Sequence, residues 1–476
     1  MIKFGTDGWR DLMCDRFTIG PVRLVVQAIA DHVRQRGGED RGVVVGYDAR
    51  FFSDRFAAEA VEVLAANGIR VFAASRDLPT PVTAYAVRQQ GAFGAVMFTA
   101  SHNPPEYNGI KFIPEYAGPA SPAITAEIEA FLARRLAERG EEGKPPGPAR
   151  ESLVREIDPL PAYFAHLAEL VDREAIASSG LTLVVDPMFA SGRGLLQAFF
   201  GEACRLETLH DRRDPLFGGR MPDPQEANLA ELRQRVAALP NALGLATDGD
   251  ADRFGVVDGD GTFLSPNEVI ALLLAHLLQS RNWRGTVART VATTHLVDAI
   301  AADYGAETAE TPVGFKYLAE MMRTRPVILA GEESGGLSIR GHIPEKDGLL
   351  ACALAAEMRA LTGRPLGETL RELRARYGGY YSKRLDLHLP AEERDRLLRS
   401  FAAEPPRRAL GREVTEVRRL DGVKCLLADG AWFLLRPSGT EALVRAYVEA
   451  PSESERDDLA AWVGETVTAA RDRAVC

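Results

Sequence analysis

The amino-acid sequence predicts an α/β protein with three related α/β domains followed by a smaller α+β domain. Three segments share one plan, in which a β-branched run is followed by a turn, a helix with apolar 3.6-residue periodicity and a second short strand. They are residues 41–74, 180–209 and 285–312. Repetition of one such unit is typical of related domains laid end to end. After the helical stretch that ends at "RARYGGYY", the pattern changes to strands and one last helix.

Changes in composition predict the domain boundaries. Residues 138–152, "ERGEEGKPPGPARES", are rich in Pro, Gly and charge, as linkers are. We therefore expect domains at 1–150, 151–262, 263–376 and 377–476. The longest apolar run, "VIALLLAHLL", is shorter than the roughly 20 residues that cross a bilayer, so it predicts a buried helix.

The composition argues against several kinds of partner. The 476 residues are 46% hydrophobic and 26% charged, with a net charge of −10, which disfavours nucleic acid and acidic membrane surfaces. The five cysteines are scattered without a C-x-x-C pair, so neither a disulfide framework nor a zinc site is expected. We therefore expect a cytoplasmic protein. The stretch "MIKFGTDGWRD" has no apolar core, so no signal peptide is expected.

The stretch "TASHNPPEYNGIKF" places one serine, Ser101, directly after a short apolar run. Two prolines behind it prevent a helix from starting there, so Ser101 is expected on a stiff, exposed loop at a strand end. A plain turn remains an alternative for this stretch alone. A Ser-His-Asp hydrolase is the second chemical interpretation, but His102 would point away from Ser101 in an extended chain.

The strongest local signal is the stretch "LATDGDADRFGVVD". Asp248, Asp250 and Asp252 alternate, so in an extended segment their carboxylates face one side and converge. A hard cation such as Mg²⁺ would offset their repulsion, and an acidic surface turn is the alternative. A calcium EF-hand loop fails, because its sixth position is Arg253 and its twelfth is Gly259. Arg253 indicates that a phosphate shares the site, since a guanidinium binds phosphate through two hydrogen bonds.

A phosphate pocket is predicted by "RPSGTEALVR" near the end of the chain. Ser438, Gly439 and Thr440 offer hydroxyl and backbone N–H groups, and Arg436 and Arg445 add guanidinium groups. A common turn is the alternative for this motif on its own.

The stretch "GEESGG" follows an apolar strand and matches neither a P-loop nor a nucleophile elbow. Glu332 and Ser334 are alternate residues that can face one cleft and bind hydroxyl groups.

Only seven of the 57 basic residues are lysines, and three of them, Lys111, Lys316 and Lys346, are expected in loops beside the candidate site. Together these features suit phosphoryl transfer on a hydroxylated, phosphorylated small molecule, with Ser101 as the carrier.

The motifs "TASHNP", "DGDADR", "GEESGG" and "RPSGT" occur in this order, after an opening "GTDGWR". In this respect the chain resembles the α-D-phosphohexomutase superfamily, most closely its bacterial phosphoglucomutase and phosphomannomutase members. The resemblance implies four domains around a central cleft, three of them with mixed sheets, and one motif from each domain.

The resemblance also implies an activity. Ser101 would be carried as phosphoserine, and Mg²⁺ would be held by the three aspartates and a phosphoserine oxygen. Phosphate would move between C1 and C6 of a hexose through a bisphosphorylated sugar. Sugar phosphates are the expected partners, glucose 1,6-bisphosphate the expected activator, and a monomer or homodimer the expected assembly.

Roles for single residues follow from the same resemblance. Arg10, His102 and Arg253 would lie close to the transferring phosphoryl group, and Lys111 and Lys346 are the candidates for general acid and base. The expected substrate-binding residues are Lys316, Glu332, Ser334, Arg436, Ser438, Gly439, Thr440 and Arg445.

One position bears on the sugar. Relatives that act on mannose or glucosamine phosphate usually end the sugar loop in His, where this chain has Gly336, and "EKDG" places Lys346 where glucose-specific relatives have a lysine. Glucose phosphate is therefore the expected substrate, with phosphomannomutase or phosphoglucosamine mutase activity as the alternative. A catalytically idle sugar-phosphate binding protein is the remote alternative, against which the intact motifs argue.

A hinge between the third and fourth domains is expected near Tyr377–Ser382.

Overall fold

The computed structural model describes residues 2, 8–139, 147–202, 204–437 and 443–473. The fold class predicted from the sequence is confirmed, with three α/β units and a fourth unit built on an antiparallel sheet. Among the described residues, no helix combines the length and the apolar character needed to cross a membrane.

The first unit has a six-stranded mixed sheet in the order β1-β5-β4-β2-β3-β6. Its strands are β1 (Trp9–Leu12), β2 (Val43–Tyr47), β3 (Val71–Ala74), β4 (Gly94–Phe98), β5 (Tyr107–Pro114) and β6 (Val154–Ile157). Its helices are α1 (Ile19–Gln35), α2 (Ser53–Ala66), α3 (Thr80–Gln90) and α4 (Pro122–Arg139).

The second unit has a five-stranded sheet in the order β11-β10-β9-β7-β8. Its strands are β7 (Thr182–Asp186), β8 (Arg205–Thr208), β9 (Ala242–Thr247), β10 (Phe254–Val257) and β11 (Phe263–Leu264). Its helices are α5 (Leu160–Leu170), α6 (Arg173–Ser178), α7 (Leu195–Phe200) and α8 (Ala230–Ala237).

The third unit has a four-stranded sheet in the order β13-β12-β14-β15. Its strands are β12 (Thr286–Thr290), β13 (Glu307–Thr311), β14 (Val327–Glu332) and β15 (Gly336–Ile339). Its helices are α9 (Pro266–Arg281), α10 (Leu296–Asp303), α11 (Phe315–Thr324), α12 (Gly348–Thr362) and α13 (Leu366–Tyr377). The apolar run "VIALLLAHLL" lies in α9 and is buried, as the sequence predicts.

The three repeats seen in the sequence correspond to β2-α2-β3, β7-α7-β8 and β12-α10-β13, and in each the two strands are parallel. The third parallel strand of each unit, β4, β9 or β14, pairs with the first strand of its repeat. An antiparallel strand, β5, β10 or β15, then pairs with that third strand. The loop between these last two strands therefore has the same topological position in all three units.

The fourth unit is an antiparallel sheet in the order β16-β21-β20-β19-β18-β17. Its strands are β16 (Tyr381–His388), β17 (Arg408–Ala409), β18 (Arg412–Arg418), β19 (Val423–Leu427), β20 (Trp432–Pro437) and β21 (Leu443–Ala450), and its helices are α14 (Ala391–Ala403) and α15 (Glu453–Arg473). The helices pack on one face. The other face meets the third unit, where the buried Lys424 donates to the carbonyl of Val291 at 2.7 Å.

Two sheets extend past the expected domain boundaries. β6 pairs with β3 although it begins after residue 150, and β11 pairs with β10 although it begins after residue 262. Strand pairing over a distance cannot be read from local composition, so these two short strands were not expected in those sheets. The four-unit architecture is confirmed, and the exact domain boundaries stay a prediction.

Candidate active site

The three equivalent loops carry the predicted motifs of the α/β units. Ser101 lies between β4 and β5, the aspartate triplet between β9 and β10, and the "GEESGG" stretch between β14 and β15. Loops at the carboxyl ends of parallel strands are common positions for chemistry. An isolated antiparallel bridge between Arg253 and Gly336 joins the second loop to the third.

Ser101 is buried, with 1% of its surface exposed, so the prediction of an exposed loop is wrong. Its φ of 51° is left-handed, not extended. This turn brings Ser101 Oγ within 2.9 Å of Asp248 Oδ2, to which it donates, and within 3.3 Å of His102 Nδ1. The prediction that His102 points away from Ser101 is therefore also wrong, because it assumed an extended backbone.

The aspartate triplet forms a compact acidic cluster. One ligand oxygen from each of Asp248, Asp250 and Asp252 lies within 4.8 Å of the others, and all three side chains are buried. The chain does not stay extended here, because Ala251 adopts a left-handed φ of 52°. This turn brings the three carboxylates together, which the alternation of the aspartates in an extended segment was expected to do.

Two lysines bind this cluster from different units. Lys111 Nζ donates to Asp250 Oδ2 at 3.0 Å and to Asp252 Oδ2 at 3.3 Å. Lys346 Nζ lies 3.1 Å from Asp252 Oδ2. Two cations thus offset part of the charge of three buried carboxylates.

Burial raises the pKa of Asp248 well above its usual value, and the neighbouring carboxylates raise it further. Burial opposes ionisation of Asp250 too, but Lys111, Thr80 and Lys346 outweigh it and lower the pKa of Asp250. Asp248 and Asp250 are therefore not equivalent, and Asp248, which accepts the serine hydroxyl, is the harder of the two to ionise.

The cluster fits a divalent cation. Within the described residues, Asp250 Oδ1 and Asp252 Oδ1 are buried and have no hydrogen-bond partner. Buried acceptors without a partner are costly unless a cation or water satisfies them. Carboxylate oxygens are the ligands that Mg²⁺ prefers, so the donor set suits this ion.

Arg253 and Arg10 approach the serine loop. Arg253 N–H donates to Asp248 Oδ1 at 3.0 Å, while its buried Nε has no hydrogen-bond partner within the described residues. Arg10, on β1, donates to Asn103 Oδ1 at 3.0 Å. Burial lowers the pKa of His102 well below its ordinary value, and the nearby Arg253 and Arg10 lower it further, so the imidazole is neutral.

The "GEESGG" loop lies against Lys346. Glu332 is the buried last residue of β14, and burial raises its pKa, an effect that Lys346 partly offsets. Ser334 hydrogen-bonds the Glu332 carboxylate. The structure thus brings Glu332, Ser334 and Lys346 together.

The predicted phosphate pocket is described in part. Arg436 on β20 and Arg445 on β21 are directly paired across the sheet and therefore share a face. Arg436 Nε donates to Asp421 Oδ2 at 3.0 Å. Ser438, Gly439 and Thr440 lie outside the described residues.

Two lysines are not in loops, contrary to the sequence-based expectation. Lys111 lies on β5, and Lys316 lies in the first turn of α11. "YNGIKF" contains turn-forming residues, but Asn108 and Gly109 pair with β1 inside the sheet. The Lys316 ammonium lies 5.3 Å from the ring centre of Tyr317.

Two residues at this site were not predicted from the sequence. Arg50 is fully buried and binds the backbone of the serine loop, and Thr80 Oγ1 donates to Asp250 Oδ2 at 2.6 Å. Arg50 follows the buried strand β2, which neighbours β4 in the sheet. In the stretch "VVVGYDAR", polar residues directly follow a strand, and this pattern could have indicated that Arg50 lies near the site.

The arrangement is unlike a Ser-His-Asp triad. In such a triad the carboxylate orients the histidine, whereas here Asp248 accepts the hydrogen bond of Ser101 itself. A buried serine beside a carboxylate cluster, with the Arg253 Nε that lacks a partner in the described part of the chain, suits phosphoryl transfer instead.

Comparison with known sequence families supports this chemistry. Four descriptions match the chain: phosphoglucomutase/phosphomannomutase alpha/beta/alpha domain I at residues 1–139, domain II at 161–261, domain III at 265–377, and the C-terminal domain at 393–464.

Individual relatives match along nearly the whole chain. A "Phosphoglucomutase" of Komagataeibacter xylinus is 29% identical, with 94% of this chain and 87% of that protein covered. A "Phosphoglucomutase/phosphomannomutase" of Thermococcus kodakarensis is 30% identical, with 95% of each covered. A Methanopyrus kandleri protein that carries the name of a phosphoglucosamine mutase is 31% identical, with 96% of this chain and 95% of that protein covered.

A solved structure agrees with these relatives. The crystal structure of a protein from Thermus thermophilus, described as a phosphomannomutase, superposes with a TM-score of 0.86 at 33% identity, and covers 98% of this chain and 99% of that one. This chain therefore belongs to the α-D-phosphohexomutase superfamily, within its phosphoglucomutase/phosphomannomutase family of mutase enzymes.

Proposed function

We propose that this protein interconverts hexose 1-phosphate and hexose 6-phosphate, with glucose phosphate preferred. The observation that carries the proposal is the 2.9 Å hydrogen bond from the buried Ser101 Oγ to Asp248, beside two carboxylate oxygens and one guanidinium nitrogen that have no partner within the described residues. The carboxylate oxygens without a partner suit a divalent cation and the guanidinium nitrogen suits a phosphate, so the position of Ser101 suits a phosphoserine beside a bound cation.

In the proposed reaction, a sugar hydroxyl oxygen forms a bond to the phosphorus on Ser101 while the phosphorus–Oγ bond breaks. The proton of that hydroxyl leaves to a base, and the resulting bisphosphorylated sugar turns in the cleft. Its other phosphate then returns to Ser101 Oγ as the bond between that phosphorus and the sugar oxygen breaks, and the sugar oxygen takes a proton from an acid. Asp248, Asp250 and Asp252 would hold Mg²⁺, which when bound offsets charge on the phosphoryl group.

The chain's own residues supply the remaining roles. Arg253 and Arg10 would bind the transferring phosphoryl oxygens, with the neutral His102 beside them. Lys346, which lies between β15 and α12 and reaches Asp252, is the general acid or base on the sugar side, and Lys111 is the second candidate.

Binding of the sugar and of the second phosphate completes the proposal. Glu332 and Ser334 would bind sugar hydroxyls. The phosphate that is not transferred would be held by Arg436, Ser438, Gly439, Thr440 and Arg445, and Lys316 would be a further substrate-binding residue.

The glucose preference rests on Gly336. Lys346 fills the space that a larger residue would need there, because a Cβ on Gly336 would lie 2.6 Å from Lys346 Cδ. Phosphomannomutase or phosphoglucosamine mutase activity is the alternative, and the names of the relatives include both. Catalytically idle sugar-phosphate binding is the remote alternative.

Phosphorus NMR tests the proposal. Glucose 1-phosphate is incubated with the protein, Mg²⁺ and a trace of glucose 1,6-bisphosphate, and the anomeric phosphate signal should fall as a C6 ester signal rises. Ser101→Ala should abolish this change and keep its fold by circular dichroism. Release of inorganic phosphate would show a phosphatase, and full activity of Ser101→Ala would refute the assigned carrier. Parallel runs with mannose and glucosamine phosphates rank the substrates.

A further inference from the structure

Arg50 is a buried arginine whose guanidinium group binds one loop. Its Nη2 donates to the carbonyl oxygens of Ser101 and Asn103, both at 2.6 Å. Its Nη1 donates to the carbonyl oxygens of Pro104 at 2.8 Å and Tyr107 at 3.0 Å. Four carbonyl groups of the serine loop therefore point at a single cation, in a place where the side chain has no exposed surface.

The charge of Arg50 is balanced beside the loop. Asp48 Oδ2 lies 3.2 Å from Arg50 Nε, and Asp48 Oδ1 accepts hydrogen bonds from Arg50 N–H at 3.0 Å and Ser53 Oγ at 2.9 Å. The Nε–Oδ2 contact is an ion pair, and an ion pair buried in this way is screened little by solvent. Asp48 thus holds Arg50 at Nε, while the two terminal nitrogens of Arg50 bind the serine loop.

The loop needs such support. A left-handed conformation at a residue other than glycine is strained and persists only where the surroundings enforce it. Ser101 has this conformation, and through it Oγ reaches Asp248. The Ser101 carbonyl that Arg50 binds also lies against Gly249 of the metal loop, where an added Cβ would overlap it.

The second unit covers Arg50 as well. The ring of Phe217 lies 5.0 Å from the guanidinium carbon, and Arg213 Nη2 donates to the Arg50 carbonyl at 3.3 Å. Arg50 therefore lies where the serine loop and the unit that carries the aspartates meet.

We propose that Arg50 is a positioning residue that holds Ser101 in its left-handed conformation, and so fixes the position of the phosphoryl carrier relative to the aspartates. The inference rests on the proposed function of Ser101. Arg50 acts through backbone carbonyls and not on the reacting oxygen. Lysine cannot replace it, because an ammonium group lacks the planar fork that serves two pairs of carbonyls.

The test compares Arg50→Lys with Arg289→Lys. Arg289 is also buried and paired, with Asp298 and Glu310, but lies in the third unit. Hydrogen–deuterium exchange of a peptide that covers 99–109 should be about tenfold faster in Arg50→Lys than in the wild type, and unchanged in Arg289→Lys. The kcat of Arg50→Lys should fall about 100-fold, while KM for glucose 1-phosphate changes less than about threefold.

Several results would overturn the proposal. Wild-type exchange in the 99–109 peptide of Arg50→Lys would do so, as would a fall in kcat no larger than that of Arg289→Lys. If Arg50→Lys does not fold, Asp48→Asn replaces it: this change loosens the Nε side of Arg50 and should speed exchange of the same peptide, and no change there refutes the idea. Failure of the proposed function would appear separately, as a wild-type protein that takes no phosphoryl group from glucose 1,6-bisphosphate.

Discussion

Gly336 and Lys346 share one small volume. A Cβ added to Gly336 would lie 2.6 Å from Lys346 Cδ and 2.8 Å from Glu332 Oε1. Lys346 passes over the glycine and places its Nζ 3.1 Å from Asp252 Oδ2. Because position 336 is a glycine, Lys346 can lie against the "GEESGG" loop and still reach the loop that carries the three aspartates.

Gly336→Ala should push Lys346 away from Asp252, because contacts below 3.0 Å require the flexible partner to move. We expect kcat/KM for glucose 1-phosphate to fall about 10–100-fold, measured with a coupled assay. The two residues act together, so Gly336→Ala added to Lys346→Ala should cost little beyond Lys346→Ala alone. Additive losses in this double-mutant cycle would contradict the shared-volume interpretation.

Lys111→Met should destabilise the protein most when divalent cations are absent. It leaves the buried Asp250 and Asp252 without one of their cations, and breaking such a pair costs about 3–5 kcal/mol. Mg²⁺ should recover part of this loss, so the increase in the free energy of unfolding on adding Mg²⁺ should be larger in Lys111→Met than in the wild type. Urea denaturation with and without Mg²⁺ measures it.

The matched control for this change is Lys383→Met, which removes an exposed lysine paired with Asp457. An exposed pair contributes about 0–1 kcal/mol. Equal stabilisation of all three proteins by Mg²⁺ would mean that the ion does not bind between these carboxylates.

Local pattern was enough to predict the repeats and the meeting of the three aspartates, since residues so close in sequence cannot separate far. It failed where backbone conformation decides the outcome. Ser101 and Ala251 adopt left-handed conformations, and because neither residue is a glycine, these turns could not be recognised from the sequence. The role of Arg50 was not predictable locally, because its partners lie more than 50 residues away along the chain.

Asp48 should make stability depend on pH. Burial raises its pKa to about 6, with Arg50 acting against the rise. A carboxyl group whose pKa is higher in the folded state binds its proton more tightly there, so its contribution to stability falls as the pH rises from about 4 to 6. The free energy of unfolding of the wild type relative to Asp48→Asn should therefore decrease by about 1–3 kcal/mol between pH 4 and pH 7. Urea denaturation across this range measures it, and a flat or rising difference would refute the assignment.

Asp421 connects Arg436 to the third unit. Its Oδ2 accepts hydrogen bonds from Arg436 Nε and from the backbone N–H of Val313, both at 3.0 Å. Because a carboxylate that binds Nε leaves both terminal nitrogens of Arg436 directed elsewhere, Asp421 would orient the guanidinium group toward the proposed phosphate. Asp421→Ala should raise KM for glucose 1-phosphate about tenfold and lower kcat less, since the reacting loops are unchanged.

The control for Asp421→Ala is Asp429→Ala, which removes a carboxylate of the same unit that pairs with Arg412 at 3.2 Å. This variant should keep KM within about twofold, as expected for a partly exposed ion pair away from Arg436.

The hydrogen bond from Val313 N–H to Asp421 also bears on the expected hinge near Tyr377–Ser382, because a rotation of the fourth unit away from the third would break it. Small-angle scattering of Asp421→Ala without ligand should therefore show a more open shape than the wild type. Identical scattering curves, together with an unchanged KM, would show that Asp421 neither orients Arg436 nor restrains the fourth unit.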